Sequence, residues 1–419
     1  MSRISTDHYR WLVVLYTLVI QGVSVGILIY CFALFSLPWL DEFSASRRDV
    51  MITISVLQIV MGFFSPWIGR YLDKISMRWI VLAGTVLLAT GLFLLQFATA
   101  LWHVWLVYAT VMPIASLMMG SLAAQTLVAK WFSNGRGDRG LALGISAMGT
   151  SLGGIVFPWL VADWLVGFGW RETMQTLAIT TVLVVVPLTL LILRREPPSH
   201  AHEVGGSGAQ DRMWSAREIL SERRLFWLPF LSLVPLTMGF SALQFNLGVF
   251  TRDLGLSDAD AAPLIMISSL CMVIGKLIAG GLGDRIDHRF LFWMSAALLV
   301  CSCLLLLTTE DYTGLLLGVI CMGLSGGGIL PMMGVIFSAR FGAAAFGRVM
   351  GFVMVNVTLG AVTPIIAGWI YDIYGSYDIA LYGLIVLATM AGIAMWWLPL
   401  IDSGVAEGDS QSVSNGEGT

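Results

Sequence analysis

The sequence predicts an all-α integral membrane protein with twelve transmembrane helices in two pseudo-symmetric six-helix bundles. Three observations predict it: the composition, the succession of long apolar runs, and an internal repeat. Of the 419 residues, 57% are hydrophobic and only 12% are charged, whereas a soluble globular chain has roughly 25% charged residues. The mean hydropathy is +0.84. With this composition, a soluble protein of the same size would have too few polar side chains to cover its surface.

Runs long enough to cross roughly 30 Å of hydrocarbon follow one another along the chain. In the first half the predicted spans are 11–37, 50–69, 78–98, 102–128, 140–166 and 174–193. In the second half they are 225–250, 262–282, 289–308, 312–338, 349–371 and 378–400. The chain therefore divides into an N-terminal six-helix bundle at 1–193, a cytoplasmic linker at 194–224, a C-terminal six-helix bundle at 225–400 and a disordered cytoplasmic tail at 401–419.

The basic residues predict the orientation of these spans. Of the 23 Lys and Arg residues, 18 fall on the side that holds the N-terminus and four fall on the other side, while Lys276 lies within a span. Cytoplasmic loops carry the excess of Lys and Arg. Both termini are therefore predicted to be cytoplasmic, and the compact loops and short tails suit a bacterial inner membrane.

Two loops repeat one motif, Gly-x-x-x-Asp followed by a base, at an offset of 211 residues. The first copy comprises Gly69, Asp73 and Lys74. The second copy comprises Gly280, Asp284 and Arg285. Glycine lets helices approach closely, and an Asp at a helix end is able to pair with bases on the neighbouring half. Such ion pairs are expected to hold one conformation until transport breaks them. The alternative is a charged turn that only fixes topology.

Spans 5 and 11 also resemble each other where they begin. The first opens with Arg139-Gly140 and the second with Gly347-Arg348, and Pro158 and Pro364 follow inside them. Arg139 and Arg348 are therefore added to the predicted gating residues. A duplication of six spans about a central linker is the layout of carriers that expose one midplane site alternately to each side of the membrane.

Lys276 is the charge that lies deepest in a predicted span. It precedes Asp284 by eight residues, which places it about 12 Å from the end of span 8. A central Lys costs at least ~2.5–3.5 kcal/mol, so it should face the bundle interior or a wet cavity. We interpret it as an anion-binding cation or a proton-linked switch. The alternative is a lysine on the lipid face whose stem reaches towards the cytoplasmic surface.

Over about residues 10–400 the chain resembles the major facilitator superfamily. The features that carry this resemblance are the two Gly-x-x-x-Asp loops, the central linker and the duplication. Within this superfamily, Lys130-Trp131-Phe132, Gly169-Trp170-Arg171 and Gly275-Lys276 are similar to the branch of monocarboxylate transporters and oxalate/formate antiporters. The resemblance implies a carrier in which Lys276 takes the place of an Arg that engages the substrate carboxylate. The sequence departs from that branch at Met272, where monocarboxylate carriers have an Asp, and it lacks their basic residue in span 1.

The uncharged polar residues within spans complete the predicted substrate site. They are Gln21 and Tyr30 in span 1, Gln125 in span 4, Gln244 in span 7 and Asn356 in span 11. In this superfamily spans 1, 4, 7 and 10 commonly line the cavity. Each residue alone is also consistent with a hydrogen bond between helices. The glycine-rich runs 149–154 and 323–328 lack the Gly-Lys-Ser/Thr of a phosphate loop, so we interpret them as close helix packing.

The sequence therefore predicts a secondary active transporter that moves a small organic anion, with a monocarboxylate as the expected substrate, by alternating access. Proton symport is a hypothesis that rests on the resemblance. The alternatives are an exporter or importer of a larger amphipathic metabolite, such as a drug, siderophore or vitamin, and a non-transporting membrane sensor. No cofactor, metal site or nucleic-acid partner is expected. The protein is expected to be a monomer. An intramembrane enzyme would need paired His or carboxylate side chains within the spans, which the sequence lacks.

Overall fold

The computed structural model describes residues 6–45, 47–132, 138–196, 214–253, 258–308 and 311–399. The predicted linker lies partly, and the predicted tail entirely, outside these residues. Every regular element in the described residues is helical. The first half contains α1 (Thr6–Val25), a π-helical turn (Gly26–Tyr30), α2 (Phe32–Glu42), α3 (Arg47–Lys74), α4 (Met77–Leu95), α5 (Leu101–Met119), α6 (Ser121–Trp131) and α7 (Arg139–Ile192).

The second half is built in the same way. It contains α8 (Ala216–Ser221), a π-helical turn (Arg223–Trp227), α9 (Leu228–Asp253), α10 (Asp258–Gly283), α11 (His288–Thr308), α12 (Tyr312–Phe341), α13 (Phe346–Val353), α14 (Val355–Tyr374) and α15 (Asp378–Met395). The described residues before the predicted linker (6–196) are called the N-terminal half below, and those after it (214–399) the C-terminal half.

Eleven helices in the described residues are long and apolar enough to cross a membrane, and a corner in α7 turns them into twelve crossings. A straight helix of the length of α7, 54 residues, would extend about 81 Å, far beyond a hydrocarbon core of about 30 Å. Gly169 divides it, with φ 78° and ψ 173°, a backbone conformation that is essentially restricted to glycine. The predicted all-α fold with twelve spans is confirmed, and within α7 the turn between two crossings has non-helical φ and ψ at Gly169 alone.

The residues after this corner hold it against neighbouring elements. The Trp170 indole Nε1 donates to Glu42 at 2.5 Å, and the Arg171 guanidinium pairs with the same carboxylate at 2.5 Å. Arg171 also donates to the carbonyl oxygens of Gln96 and Ala98 at 3.0 and 2.7 Å. The hydrogen bond from Arg171 lowers the pKa of Glu42. The corner is therefore tied to α2 and to the connection after α4.

Three predicted spans are broken rather than continuous. The first passes from α1 through the π-helical turn into α2, the fourth breaks at Gly120 between α5 and α6, and the eleventh breaks at Met354 between α13 and α14. At Gly120 a Cβ would collide with the carbonyl oxygen of Ser116, so the break depends on a residue without a side chain.

Both described ends of the chain lie at the end of the bundle that holds Asp73 and Asp284, which is called the motif side below. Near the N-terminus Arg10 pairs with Asp138 at 3.0 Å, just before α7 begins. Near the C-terminus the carbonyl oxygen of Pro399 accepts from Arg340, at the end of α12, at 3.4 Å. An even number of crossings accounts for this arrangement.

Candidate functional site

Lys276 lies on α10 and points into the contact between the two halves. Its Nζ donates to the hydroxyl oxygens of Thr150 and Ser151 on α7, at 2.6 and 2.5 Å. The residue is 2% exposed, so the predicted interior position is where the structure places it. Among the described residues no acidic side chain interacts with this ammonium group. A buried cation is thus held by two neutral hydroxyl groups.

Two further predicted residues bind the same stretch of α7. The Gln21 amide donates from Nε2 to the carbonyl oxygen and the hydroxyl of Ser146, at 2.8 and 2.7 Å. The Gln125 amide donates to the carbonyl oxygen of Leu143 at 3.4 Å. Both side chains are fully buried, and the amide oxygen of each has no hydrogen-bond partner. Gln125, Gln21 and Lys276 therefore approach α7 over three consecutive turns, from three different helices.

The remaining predicted polar residues lie in other contacts. The Asn356 amide oxygen accepts from Thr237 at 2.6 Å, and its Nδ2 donates to the carbonyl oxygen of Phe230 at 2.8 Å, so it joins α14 to α9. The Gln244 oxygen accepts from Ser268 at 2.8 Å, between α9 and α10. The Tyr30 ring packs against Gly154 of α7. None of these contacts brings Asn356, Gln244 or Tyr30 to Lys276.

The two motif carboxylates cross to the other half, where they cap helices. Asp73, at the end of α3, accepts the backbone N–H groups of Gly347 and Arg348, both at 2.8 Å, at the start of α13. Asp284, just after α10, accepts the N–H of Gly140 at 2.5 Å, at the start of α7. In the part of the chain that the structure describes, these carboxylates accept from backbone N–H groups and not from the side chains of bases. The first N–H groups of a helix have no partner within it, and its N-terminus attracts negative charge.

The predicted gating bases surround these caps. The Arg139 side chain reaches across the halves to the carbonyl oxygen of Ser338, at 3.5 Å. The Arg348 side chain is buried and donates to the carbonyl oxygen of Trp214, while Lys74 and Arg285 are exposed. Lys130, which the sequence did not single out as a gating residue, donates to the carbonyl oxygen of Leu72 at 2.5 Å, close to Asp73.

Asp284 lies outside the apolar spans and its environment shifts its ionisation. Burial of the carboxyl against the start of α7 raises its pKa, and the Gly140 N–H and the nearby Arg139 oppose this shift without cancelling it. The residue as a whole is exposed, so the loss of water concerns the side of the carboxyl that faces α7.

Glycines allow the halves to touch backbone to backbone on the motif side. A Cβ at Gly280 would lie 2.6 Å from the carbonyl oxygen of Gly140 and 2.7 Å from the Cα of Gly144. A Cβ at Gly69 would collide with the carbonyl oxygen of Gly347. The predicted close approach of helices at the motif glycines is thus visible as contacts that leave no room for a methyl group.

The glycine-rich runs have the predicted packing role. In the first run Gly149 and Gly153 face the backbone of α1, and in the second Gly323 and Gly327 face the backbone of α10. The sequence had no means to single out Thr150 and Ser151, because both are small polar residues inside the first of these runs. In the described residues no group of three His, Cys, Asp or Glu side chains is placed to hold a metal ion.

Comparison with known proteins places the chain among membrane transporters. The family model described as Major Facilitator Superfamily matches residues 17–309 and 237–413. The MFS-type transporter YcxA of Bacillus subtilis (strain 168) is 22% identical, over 98% of this chain and all of that protein. Monocarboxylate transporter 13 of Bos taurus is 25% identical over 88% of this chain and 84% of its own length. The agnestins efflux protein AgnL12 of Paecilomyces divaricatus is 26% identical over 85% and 80%.

Solved structures share the fold at low identity. The proton:xylose symporter XylE superposes with a TM-score of 0.74 at 13% identity, over 94% of this chain and 97% of that one. The human organic anion transporter MFSD10 gives a TM-score of 0.68 at 15% identity, over 94% of this chain and all of that one. At such identities the likeness concerns the arrangement of helices.

Proposed function

Because the chain belongs to the Major Facilitator Superfamily, it is a multi-pass membrane transporter of a small molecule and not an enzyme, and we propose that it carries a small organic anion, with a monocarboxylate as the first candidate. The family membership fixes the class of protein. The charge of the substrate is inferred from the site.

The observation that carries the proposal is the ammonium group of Lys276. It is 2% exposed, about 12 Å inside the span, and its described partners are the two hydroxyl groups of Thr150 and Ser151. An isolated buried charge is costly, and a carboxylate that enters the site supplies the missing opposite charge. A charge-assisted hydrogen bond is also roughly twice as strong as a neutral one. One ammonium group suits one carboxylate, which favours a monocarboxylate over a dicarboxylate.

Gln21 and Gln125 are proposed to complete the site. Each keeps a buried amide oxygen without a partner, and such an oxygen accepts a hydrogen bond from a substrate hydroxyl group. The Gln125 oxygen also lies against Gly334 of α12, so substrate binding there would change a contact between the halves. We assign Asn356 to helix packing instead, since both ends of its amide are already bound within the C-terminal half.

We propose that transport proceeds by rocking of the two halves about this site, and that the structure corresponds to the state closed on the motif side. The contacts between α7 and α10, and between α3 and α13, support this assignment. The excess of basic residues on the motif side makes it the cytoplasmic side, with both termini cytoplasmic, in a bacterial inner membrane. The protein is proposed to work as a monomer, and proton symport is the proposed coupling.

The test is uptake into proteoliposomes of labelled lactate, pyruvate, acetate, oxalate and one larger uncharged metabolite. We expect a pH gradient, inside alkaline, to drive uptake of at least one monocarboxylate. Lys276→Ala and Lys276→Met should abolish this uptake, because the substrate charge then has no partner, and Lys276→Arg should retain part of it. Leu277→Ala, at a neighbouring residue that is 38% exposed, is the control for a change in α10 outside the site.

Two outcomes would contradict the proposal. Carboxylate uptake that is unaffected by Lys276→Ala would remove the lysine from the site. Uptake of the uncharged metabolite alone would favour a carrier of larger amphipathic compounds, an activity that is named for one relative, the agnestins efflux protein.

A further inference from the structure

The two halves meet along two interfaces that are built in the same way. The first, called the α7–α10 seam, joins Gly140 and Gly144 to Gly280 and continues to Lys276. The second, called the α3–α13 seam, joins Gly69 to Gly347 and Gly351 and continues to Ser65. The positions correspond under the internal repeat, at an offset of 211 residues for α3 and α10 and of 207 residues for α7 and α13.

The seams differ at one position of this repeat. Ser65 and Lys276 both precede the motif Asp of their helix by eight residues, and both bind across the halves. The Ser65 hydroxyl donates to the carbonyl oxygen of Gly351 at 2.6 Å, which is a neutral hydrogen bond. Lys276 donates from a cation to Thr150 and Ser151. One seam therefore contains a charge at its inner end and the other does not.

The hydroxyl of Thr150 is oriented to accept from the lysine. Its own hydrogen is directed to the carbonyl oxygen of Ala147, at 3.0 Å, which leaves an oxygen lone pair for the Lys276 Nζ at 2.6 Å. Ser151 is 1% exposed and offers a second oxygen at 2.5 Å. Two of the three N–H bonds of the ammonium group are thereby used to hold α10 against α7.

We propose that Thr150 and Ser151 are the resting acceptors of Lys276, so that an anion opens the α7–α10 seam while the α3–α13 seam does not respond to charge. The inference rests on the proposed function for the identity of the trigger. Without a substrate, the two hydroxyl groups bind the ammonium group and keep the halves together. A carboxylate competes for the same N–H groups, and it forms stronger, charge-assisted bonds than a hydroxyl does. Binding of the anion therefore weakens the contact between α7 and α10.

The experiment measures the distance between the halves on the motif side by pulsed electron paramagnetic resonance. Spin labels are attached to Ile75→Cys and Ile286→Cys, which lie after α3 and α10 and are 44% and 36% exposed. The five native cysteines are first replaced by Ala or Ser. Distance distributions are recorded in buffer and with pyruvate, lactate, acetate and oxalate, for the wild type, Thr150→Val with Ser151→Ala, and Ser65→Ala.

We expect the double variant to be shifted towards long distances already in buffer, with an open-to-closed ratio raised about tenfold by the loss of two hydrogen bonds. Adding the anion should then change its distribution little. Ser65→Ala, which removes one bond from the seam without a charge, should keep the response of the wild type to the anion. Thr150→Ser keeps the hydroxyl group and should behave as the wild type, which separates loss of the acceptor from damage to the helix.

A double variant with the wild-type distribution in buffer and a full response to the anion would overturn the inference. So would a loss of the anion response in Ser65→Ala, because both seams would then respond to charge. If the wild type ignores every carboxylate in the panel, the proposed function has failed and the anion is not the trigger. The distribution of the double variant in buffer still shows, independently, whether the two hydroxyl groups hold the halves together.

Discussion

Lys276 and Asp284 lie eight residues apart along α10 and its end, and each is held by the opposite half of the protein. Among the described residues Lys276 donates to two hydroxyl oxygens, which is why we propose that its charge binds the substrate. Asp284 accepts the N–H of Gly140 at the N-terminus of α7, so the helix dipole and the nearby Arg139 offset part of the cost of burying its charge. The first residue is suited to binding and the second to closing the motif side.

Two substitutions of Asp284 distinguish the effect of its hydrogen-bond acceptor from the effect of its negative charge. Asp284→Ala removes the cap of α7 and should lower the closed-to-open ratio about twofold to thirtyfold, as expected for the loss of about 0.5–2 kcal/mol. Asp284→Asn keeps an oxygen for the Gly140 N–H and has no charge to desolvate, so it should leave the closed population unchanged or raise it. The distance between labels at Ile75→Cys and Ile286→Cys measures both effects.

The environment of Asp284 also predicts how the closed population changes with pH. Burial raises the pKa of Asp284 in the closed state, so that state binds the proton more tightly than an open state in which the carboxyl is solvated. The contribution to closure is complete below the pKa of the open state and is lost as pH rises through the raised pKa. The closed population of the wild type should therefore increase as pH falls. Asp284→Asn should lose this dependence, and Asp163→Asn, an exposed acid far along α7, should keep it.

At the scale of the element, α7 shows how one residue sets the number of crossings. Gly169 is the only residue of this helix with non-helical φ and ψ, and the contacts of Trp170 and Arg171 with Glu42 fix the direction in which the chain returns. An α-helix without this corner would continue away from the bundle. The corner therefore determines the position of the last crossing of the N-terminal half.

Gly169→Ala tests this corner. A Cβ there meets no atom within 4 Å, so the cost is in the backbone, at φ 78°, and should be about 1–3 kcal/mol. Thermal unfolding in detergent, followed by circular dichroism, should show a lower midpoint for this variant. Gly167→Ala, two residues earlier, also meets no atom within 4 Å but has an ordinary helical φ, and it should unfold as the wild type does. Equal midpoints for the two variants would contradict the strain at Gly169.

At the scale of the whole molecule, the duplication gives two halves whose seams share their glycines and their capping carboxylates. Asp73 caps α13 in the same way as Asp284 caps α7. A symmetric pair of this kind agrees with the proposed rocking of the two halves. The asymmetry at Lys276 and Ser65 gives the two seams different chemistry.

The orientation of the molecule is open to direct labelling. In a chain without its native cysteines, Ile286→Cys on the motif side should react with a membrane-impermeant maleimide only after the cells are opened. Phe97→Cys, which is 63% exposed in the native protein and lies between α4 and α5 on the opposite side, should react in intact cells. The excess of Lys and Arg on the motif side is the physical reason. The reverse pattern would place the motif side outside.

Features that depend on composition and length could be predicted from the amino-acid sequence. The apolar runs are long enough to cross a bilayer whatever they pack against, so twelve crossings were predictable. The repeated Gly-x-x-x-Asp motif likewise indicated two equivalent halves. Lys276 could be singled out because a cation is rare at that depth in a span. Its position in the sequence is enough to identify it, without knowledge of its contacts.

Which polar groups contact each other depends on how the helices pack. Thr150 and Ser151 precede Lys276 by more than 120 residues, and the rotation of α7 and α10 about their axes, which their packing sets, determines this contact. For the same reason no local pattern showed that Asn356 is bound within its own half, or that the motif carboxylates cap helices of the opposite half. These hydrogen-bond partners are set by the packing of helices that are distant in sequence. No local pattern along the chain encodes that packing.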